Sequence, residues 1–302
     1  EIAAGLPADF PIPVLVTIHI GPHRSYLADI LQDSGPLPCK QAEAGEPILG
    51  GVIYVAPPDH HLVVEAGRAE LVRGPKENWA RPAIDPLFRS AALEYGPELV
   101  AVVLSGKLND GTAGLYEVKR RGGATVVQDP SDAQEPSMPR SALRHVDVDY
   151  VVPLARLPSL LVALTVERSG GARSKSASPS EASMSETASH WANPTAQTCP
   201  ECGGAMSRDD IGTLSRYRCH TGHVFTSELL AEAQLAMIDQ MLEGVFRSLK
   251  ERAAICSALA ARNGPVTASE AEGWSLAADE ATDRAEVIEK LLKSTWIRPD
   301  AA

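Results

Sequence analysis

Aromatic side chains are scarce in this sequence: four Phe, four Trp and six Tyr, 5% of 302 residues. A core must therefore be built from Leu, Val, Ile and Ala, and the 44% hydrophobic share is enough for one. Basic residues are short as well, with 28 Lys and Arg against 39 Asp and Glu and a formal net charge of −11. Phosphate contacts need clustered cations, so this composition argues against a nucleic-acid partner. No run of 18 or more apolar residues occurs, so neither a spanning helix nor membrane insertion is expected. No secretory leader pattern is visible. The five cysteines are an odd number, three of them in one metal-type cluster, which argues against a disulfide framework and for a reducing, cytoplasmic setting. The length suits two domains, or one domain with an appendage.

Short apolar runs at Val14–Ile18, Val52–Val55, Leu99–Leu104 and Ala124–Val127 are rich in Val, as strands buried on both faces of a parallel sheet are. Helical patterns lie between or after them, near Tyr26–Gln32, Pro86–Tyr95, Ala113–Arg121 and Leu157–Leu164, and Gly122-Gly123 ends the third. This alternation predicts an α/β domain over 1–167, a largely parallel sheet flanked by helices in three Rossmann-like layers. His60–Glu65 and Ala69–Arg73, with Ala66-Gly67 near the turn, predict an antiparallel hairpin on that scaffold.

Residues 168–197 change character. Ser169–Ser189 is almost all Ser, Ala, Gly, Glu and Lys, a composition that buries too little surface to offset chain entropy, so a flexible linker is predicted. A cysteine cluster follows within 198–225, then a helical hairpin over 226–302. The first helix carries Leu235, Ile238, Leu242, Val245, Leu249, Cys256 and Leu259 at spacings of mostly three and four. Asn263-Gly264-Pro265 breaks the pattern. Thr267-Ala268-Ser269-Glu270 opens the second helix with a capping-box pattern, and Trp274, Ala281, Ile288 and Leu291 form its stripe. Such helices pair as a hairpin or join an oligomeric bundle, so self-association is an expected property.

Two residues of the α/β domain stand where chemistry belongs. His19 follows the first apolar run, and Asp110 lies in the loop leaving the third, within Leu104-Ser105-Gly106-Lys107-Leu108-Asn109-Asp110-Gly111. In open α/β sheets ligands bind outside the carboxyl ends of the strands. A histidine backed by an aspartate is the base half of a hydrolytic triad, the acid holding the ring in one tautomer and stabilising the imidazolium. On spacing alone the pair is equally compatible with a structural histidine and an ordinary Asn-Asp-Gly turn. Among the other histidines, His60 and His61 read as structural, His23 and His145 as surface residues, and His190 as part of the linker.

The stretches Val14-Leu15-Val16-Thr17-Ile18-His19, Glu43–Ile48, Val52–Leu62, Arg81–Ala92, Leu104–Gly111, Gln128-Asp129-Pro130 and Ser137-Met138-Pro139-Arg140 share order and spacing with one family. Across about 160 residues the chain resembles the CheB methylesterase catalytic domain. The resemblance implies hydrolysis of methyl esters on glutamate side chains of chemoreceptor-like coiled-coil proteins, and deamidation of glutamines in some members. It also implies a Ser, His, Asp set in that chain order, of which His19 matches the histidine and Asp110 the aspartate. The family's serine, in a Ser-x-Gly-Gly turn after its first strand, falls ahead of Glu1 and has no match in this chain. Neither Ser25 nor Ser105 sits in a nucleophile-elbow context.

The chain departs from the family at His19-Ile20-Gly21, where His-Met-Pro is usual, and at Gly106–Gly111, where Gly-Met-Gly-x-Asp-Gly is usual. Leu108 in place of glycine is unfavourable wherever the backbone takes positive φ. These departures motivate an alternative, a catalytically inactive esterase fold whose tail mediates assembly or regulation.

Cys199-Pro200-Glu201-Cys202 and Cys219-His220-Thr221-Gly222-His223 have the spacing C-x2-C-x16-C-x3-H. Paired ligands on tight turns supply the four S and N donors of a tetrahedral structural Zn2+, with no position open for catalytic water. Cys199, Cys202, Cys219 and His223 are the expected ligands, and His220 is the alternative to His223. Cys39 and Cys256 read as small buried hydrophobes. A zinc ribbon followed by Leu-, Ala- and Glu-rich helices also resembles the tail of some CheB-like proteins.

Overall fold

The structure, a computed structural model, describes residues 1–169, 193–261 and 268–297. Two compact units form, Glu1–Leu230 and Ala231–Ala302. The first unit begins with α1 (Ile2–Gly5), β1 (Val14–Val16), α2 (Leu27–Ser34), β2 (Cys39–Gln41), β3 (Glu46–Pro47), β4 (Ile53–Val55), β5 (His61–Glu65) and β6 (Arg68–Val72). It continues with α3 (Ile84–Tyr95), β7 (Val100–Val103), α4 (Thr112–Arg120), β8 (Ala124–Gln128), α5 (Ser137–His145), β9 (Tyr150–Val152) and α6 (Leu157–Ser169).

The strands pair in parallel in the orders β1-β4-β2 and β7-β8-β9, and β3-β6-β5 form an antiparallel sheet. Period-two alternation places both faces of the parallel strands in cores. In β4, Ile53 and Val55 pack with Ala3, Ala28 and Leu161 of α1, α2 and α6, whereas Tyr54 packs with Leu62, Ala69, Leu87 and Ala91. In β7 and β8, Ala101, Val103 and Val127 pack with Leu115, Val118, Met138 and Ala142. Val100, Val102 and Val126 instead pack with Leu157 and Leu164 of α6. Helices thus cover both faces, which gives the layered α/β architecture expected. The hairpin also forms, with Glu65 opposite Arg68 and the intervening Ala66 and Gly67 both at positive φ, as a two-residue type I′ turn requires.

Most of the Ser/Ala-rich linker lies outside the described residues, but its last part is regular. Pro194–Thr198 forms β10, so the terminal sheet starts earlier than the cysteine spacing suggests. With β11 (Ala205–Ile211), β12 (Leu214–Cys219) and β13 (Val224–Thr226) it makes an antiparallel sheet ordered β10-β11-β12-β13. Met206, Leu214, Val224 and Phe225 are its buried apolar residues.

The second unit holds most of α7 (Ser227–Ala260) and all of α8 (Ala268–Lys293). Val245 and Leu249 line one groove with Arg284, Val287 and Ile288, and the Trp296 indole N–H donates to Asp239 at 2.8 Å, so the helices run antiparallel. The small residues Ala278, Ala281 and Ala285 are buried, while Val245 and Leu291 of the apolar stripes, with Met241 and Leu276 outside them, stay at least 46% exposed. The Asn263-Gly264-Pro265 break and Thr267 of the capping pattern lie outside the described residues. Among the described residues no helix is long and apolar enough to cross a membrane.

Candidate functional site

His19 lies just beyond β1, and Asp110 lies in the loop between β7 and α4. The two are 91 positions apart in the chain, and the fold brings His19 Nε2 within 2.6 Å of Asp110 Oδ2. Asp110 is 1% exposed, while His19 keeps 38% of its side chain open to solvent. The carboxylate is held at a helix start. Oδ2 accepts the Ile84 N–H at 2.6 Å, and Oδ1 accepts the N–H groups of Gly111 at 3.0 Å and Asp85 at 3.3 Å. Ile84 and Asp85 open α3, so their N–H groups are among the four that a helix leaves without intrahelical partners, and the dipole there favours an anion. Gly111 is required for this approach. Its φ is +87°, and a Cβ there would meet Ile84 Cγ2 at 2.9 Å.

Asn78 completes the shell. Its amide donates to Asp110 Oδ1 and to Asp85 Oδ2, both at 2.8 Å, and Asp85 Oδ1 accepts the Gly114 N–H at 2.7 Å. Two buried carboxylates therefore share one amide, and their environments separate them. Burial pushes Asp85 up to about 7, reinforced by the charge of Asp110. Burial pushes Asp110 the same way, but the His19 hydrogen bond and charge, with the Ile84 and Asn78 donors, bring it below the usual carboxylate range. Burial alone would lower His19, yet the hydrogen bond and charge of Asp110, helped by Asp85, raise it above an ordinary histidine. At neutral pH the aspartate is an anion, and with Nε2–H donated to it, Nδ1 is the ring nitrogen able to take a proton.

The hydrogen-bonding of His61 is structural. It is 3% exposed, donates from Nε2 to the Pro75 carbonyl at 2.9 Å and accepts the Ala83 N–H on Nδ1 at 3.2 Å, so it ties together the two ends of the segment that carries Asn78. His60 contacts the Pro58 carbonyl through Nδ1. His145 lies at the surface, partly covered where its Nδ1 meets Thr213 Oγ1 of the β11–β12 turn at 2.8 Å. Leu108 has φ +67°, the left-handed region in which a leucine is strained. Sequence reasoning passed over Asn78 and Asp85. Asp85 sits in the Arg81–Ala92 stretch, but a buried acid at a helix start looks like any N-terminal acidic residue. Asn78 carried no signal, since an asparagine in a polar loop is ordinary turn chemistry.

The ligand atoms of Cys199, Cys202, Cys219 and His223 all lie within 4.8 Å of one another. Cys202 Sγ is 3.6 Å from Cys219 Sγ, and His223 Nδ1 is 3.6 Å from Cys199 Sγ and 3.5 Å from Cys219 Sγ. A tetrahedral zinc with bonds of about 2.3 Å separates its sulfur ligands by roughly 3.8 Å, so spacing and donor chemistry fit that ion. His220 is not in the cluster. The two glycines after Cys202 form the knuckle, with Gly203 at φ +69°.

The family model for CheB methylesterase matches residues 1–161. A Leptospira interrogans protein, provisionally named protein-glutamate methylesterase/protein-glutamine glutaminase, is 39% identical over 161 residues, which cover 53% of this chain and 83% of that protein. Protein-glutamate methylesterase/protein-glutamine glutaminase 4 of Myxococcus xanthus is 42% identical over 167 residues, 55% of this chain and 46% of that protein. The crystal structure of the Thermotoga maritima CheB methylesterase catalytic domain superposes with a TM-score of 0.52 at 35% identity, covering 54% of this chain and 89% of that one. The chain belongs to the CheB methylesterase family.

Proposed function

We propose that this protein hydrolyses methyl esters of protein glutamate side chains and deamidates protein glutamines, the two activities its relatives' names give, and that its substrate is a chemoreceptor-like coiled coil. The observation that carries the reading is the 2.6 Å contact of His19 with the buried, anionic Asp110. His19 is the general base. Its Nδ1 takes the proton of a serine hydroxyl as the oxygen attacks the ester carbonyl, and returns it to the departing methoxide, which leaves as methanol. A water then hydrolyses the acyl-serine by the same route. Asp110 fixes the tautomer and stabilises the imidazolium. Cys199, Cys202, Cys219 and His223 hold a structural Zn2+, which supplies folding free energy to the small terminal sheet. The open apolar stripes of α7 and α8 are a self-association surface.

A second reading, an inactive esterase fold serving in assembly, draws on the left-handed Leu108 in the loop before Asp110. Methanol release from a methylated chemoreceptor by the protein extended upstream of Glu1, compared with its His19→Ala variant, separates the two. Release that depends on His19 supports the esterase; equal rates for both proteins would favour the inactive fold.

A further inference from the structure

The metal knuckle ends directly on the shell of Asp110. His223 is followed by β13, whose first residue pairs with the segment carrying Asn78: Asn78 N–H donates to the Val224 carbonyl at 2.8 Å, and Val224 N–H donates to the Lys76 carbonyl at 3.3 Å. Two residues on, Thr226 Oγ1 donates to Asn109 Oδ1 at 2.9 Å, and the Asn109 amide donates to Glu228 Oε2 at 3.1 Å. Asn78, Asn109 and Thr226 are 4%, 3% and 1% exposed, so these are interior contacts. Asn109 immediately precedes Asp110, and Asn78 donates to it. Around this centre, Lys76 pairs with Glu201, between two of the cysteines, and a Cβ on Gly222 would meet Pro75 Cγ at 2.9 Å.

We propose that Asn78 and Asn109 are positioning residues for Asp110, and that the metal-bearing knuckle holds both through β13, so that metal occupancy sets the alignment of the His19–Asp110 pair. This rests on the metal reading above.

The physical case has two parts. First, Asn78 and Trp79 both have positive φ, at +50° and +65°. Side-chain-bearing residues persist there only when their surroundings over-determine them. Within the segment only the reciprocal Glu77–Ala80 backbone pair stabilises the turn, and the Asn78 N–H itself is satisfied by β13. Second, the terminal sheet has few buried apolar residues besides Met206, Leu214, Val224 and Phe225, so the binding free energy of its metal is a large part of its folding free energy. Losing the metal removes the order of β13, and with it the partner that keeps the Asn78 amide aimed at Asp110 and the Asn109 side chain fixed beside it.

The test uses the full chain, which needs no turnover. Metal content is measured before and after chelation, and backbone hydrogen exchange is followed in residues 76–85 and 105–112, with β8 as the internal reference. The expected result is bound zinc, and on its removal exchange faster by about tenfold or more in both segments with β8 unchanged. Thr226→Val keeps every metal ligand but removes the hydroxyl that donates to Asn109. It should retain its zinc while the NMR titration of His19 moves down towards an ordinary histidine, and Thr226→Ser should restore it. Three outcomes overturn the proposal: a metal-free native protein, which also ends the metal reading; bound metal whose removal leaves 76–85 and 105–112 as protected as before, which ends the coupling alone; or β8 loosening equally, which makes the knuckle a general stabiliser.

Discussion

Replacing Asp110 by Asn tests the electrostatic account of the site most directly, because an amide is nearly isosteric with the carboxylate and differs in what it can accept. Asp110 accepts from donors on both oxygens, and each oxygen faces at least one backbone N–H: Ile84 on Oδ2, and Gly111 and Asp85 on Oδ1. Whichever way the amide turns, its NH2 meets a buried N–H. Leaving a buried donor without an acceptor costs about 1–3 kcal/mol, and exchanging a charged acceptor for a neutral one costs about 1 kcal/mol more. Relief of the repulsion on Asp85 offsets part of this, for a net loss of about 2 kcal/mol.

The loss depends on pH in a set direction. His19 in the fold titrates above its ordinary 6.5, so its pairing stabilises the protein fully below that value and the contribution fades as pH rises through the folded midpoint. Asp85, pushed up to about 7, penalises the native fold increasingly as pH rises towards and through that value, and the variant lessens the penalty. Both effects make the variant's deficit larger at pH 6 than at pH 8. Urea unfolding at the two pH values measures it, and the NMR titration of His19 should move to lower pH in the variant. A variant as stable as the parent at pH 6, with an unmoved His19, would refute the reasoning.

Three further perturbations follow from the same geometry. Asp85→Asn removes a carboxyl whose ionisation the fold opposes, so its stability relative to the parent should improve from pH 4 to pH 8; a difference independent of pH in urea unfolding would count against a raised Asp85. Leu108→Gly relieves a left-handed leucine, a strain of about 1–2 kcal/mol that offsets the lost packing and the entropy of glycine, so stability should stay within about 1 kcal/mol. A loss above about 2 kcal/mol in the same assay would show that Leu108 is not strained. Val245→Glu on the exposed stripe of α7 should lower the sedimentation mass of the full chain from that of an oligomer to that of a monomer, and a parent already monomeric at micromolar concentration would dismiss self-association.

Much of the site was legible in local sequence, though not all of it for the same reason. The buried parallel strands announced themselves as Val-rich runs, because burial on both faces removes the polar alternation of an ordinary strand. The predicted runs extend beyond the observed strands, Val14–Val16 and Val100–Val103, since apolar character continues past the strand ends. β2 at Cys39–Gln41 was missed because its three residues, Cys-Lys-Gln, have no apolar run; its strand character comes from pairing with β4. The Cys199, Cys202, Cys219 and His223 cluster could be anticipated from spacing, since tight turns bring each pair together locally.

By itself, the sequence determined the α/β class, the identity of His19 and Asp110 as candidates, and the four residues of the candidate metal cluster. Each rests on short-range periodicity, turn chemistry or motif order, all of which survive in a linear string. Only the tertiary structure decided that Asp110 is set at the start of α3 and held below the usual carboxylate range, that Asp85 beside it is pushed up to about 7, that Asn78 bridges them, and that β13 from the far end of the chain holds Asn78 and Asn109. Those facts depend on backbone N–H directions and on which buried groups exclude water together, and such quantities arise only when segments distant in the chain, 32 residues apart for Asn78 and Asp110 and 117 for Asn109 and Thr226, are packed against each other.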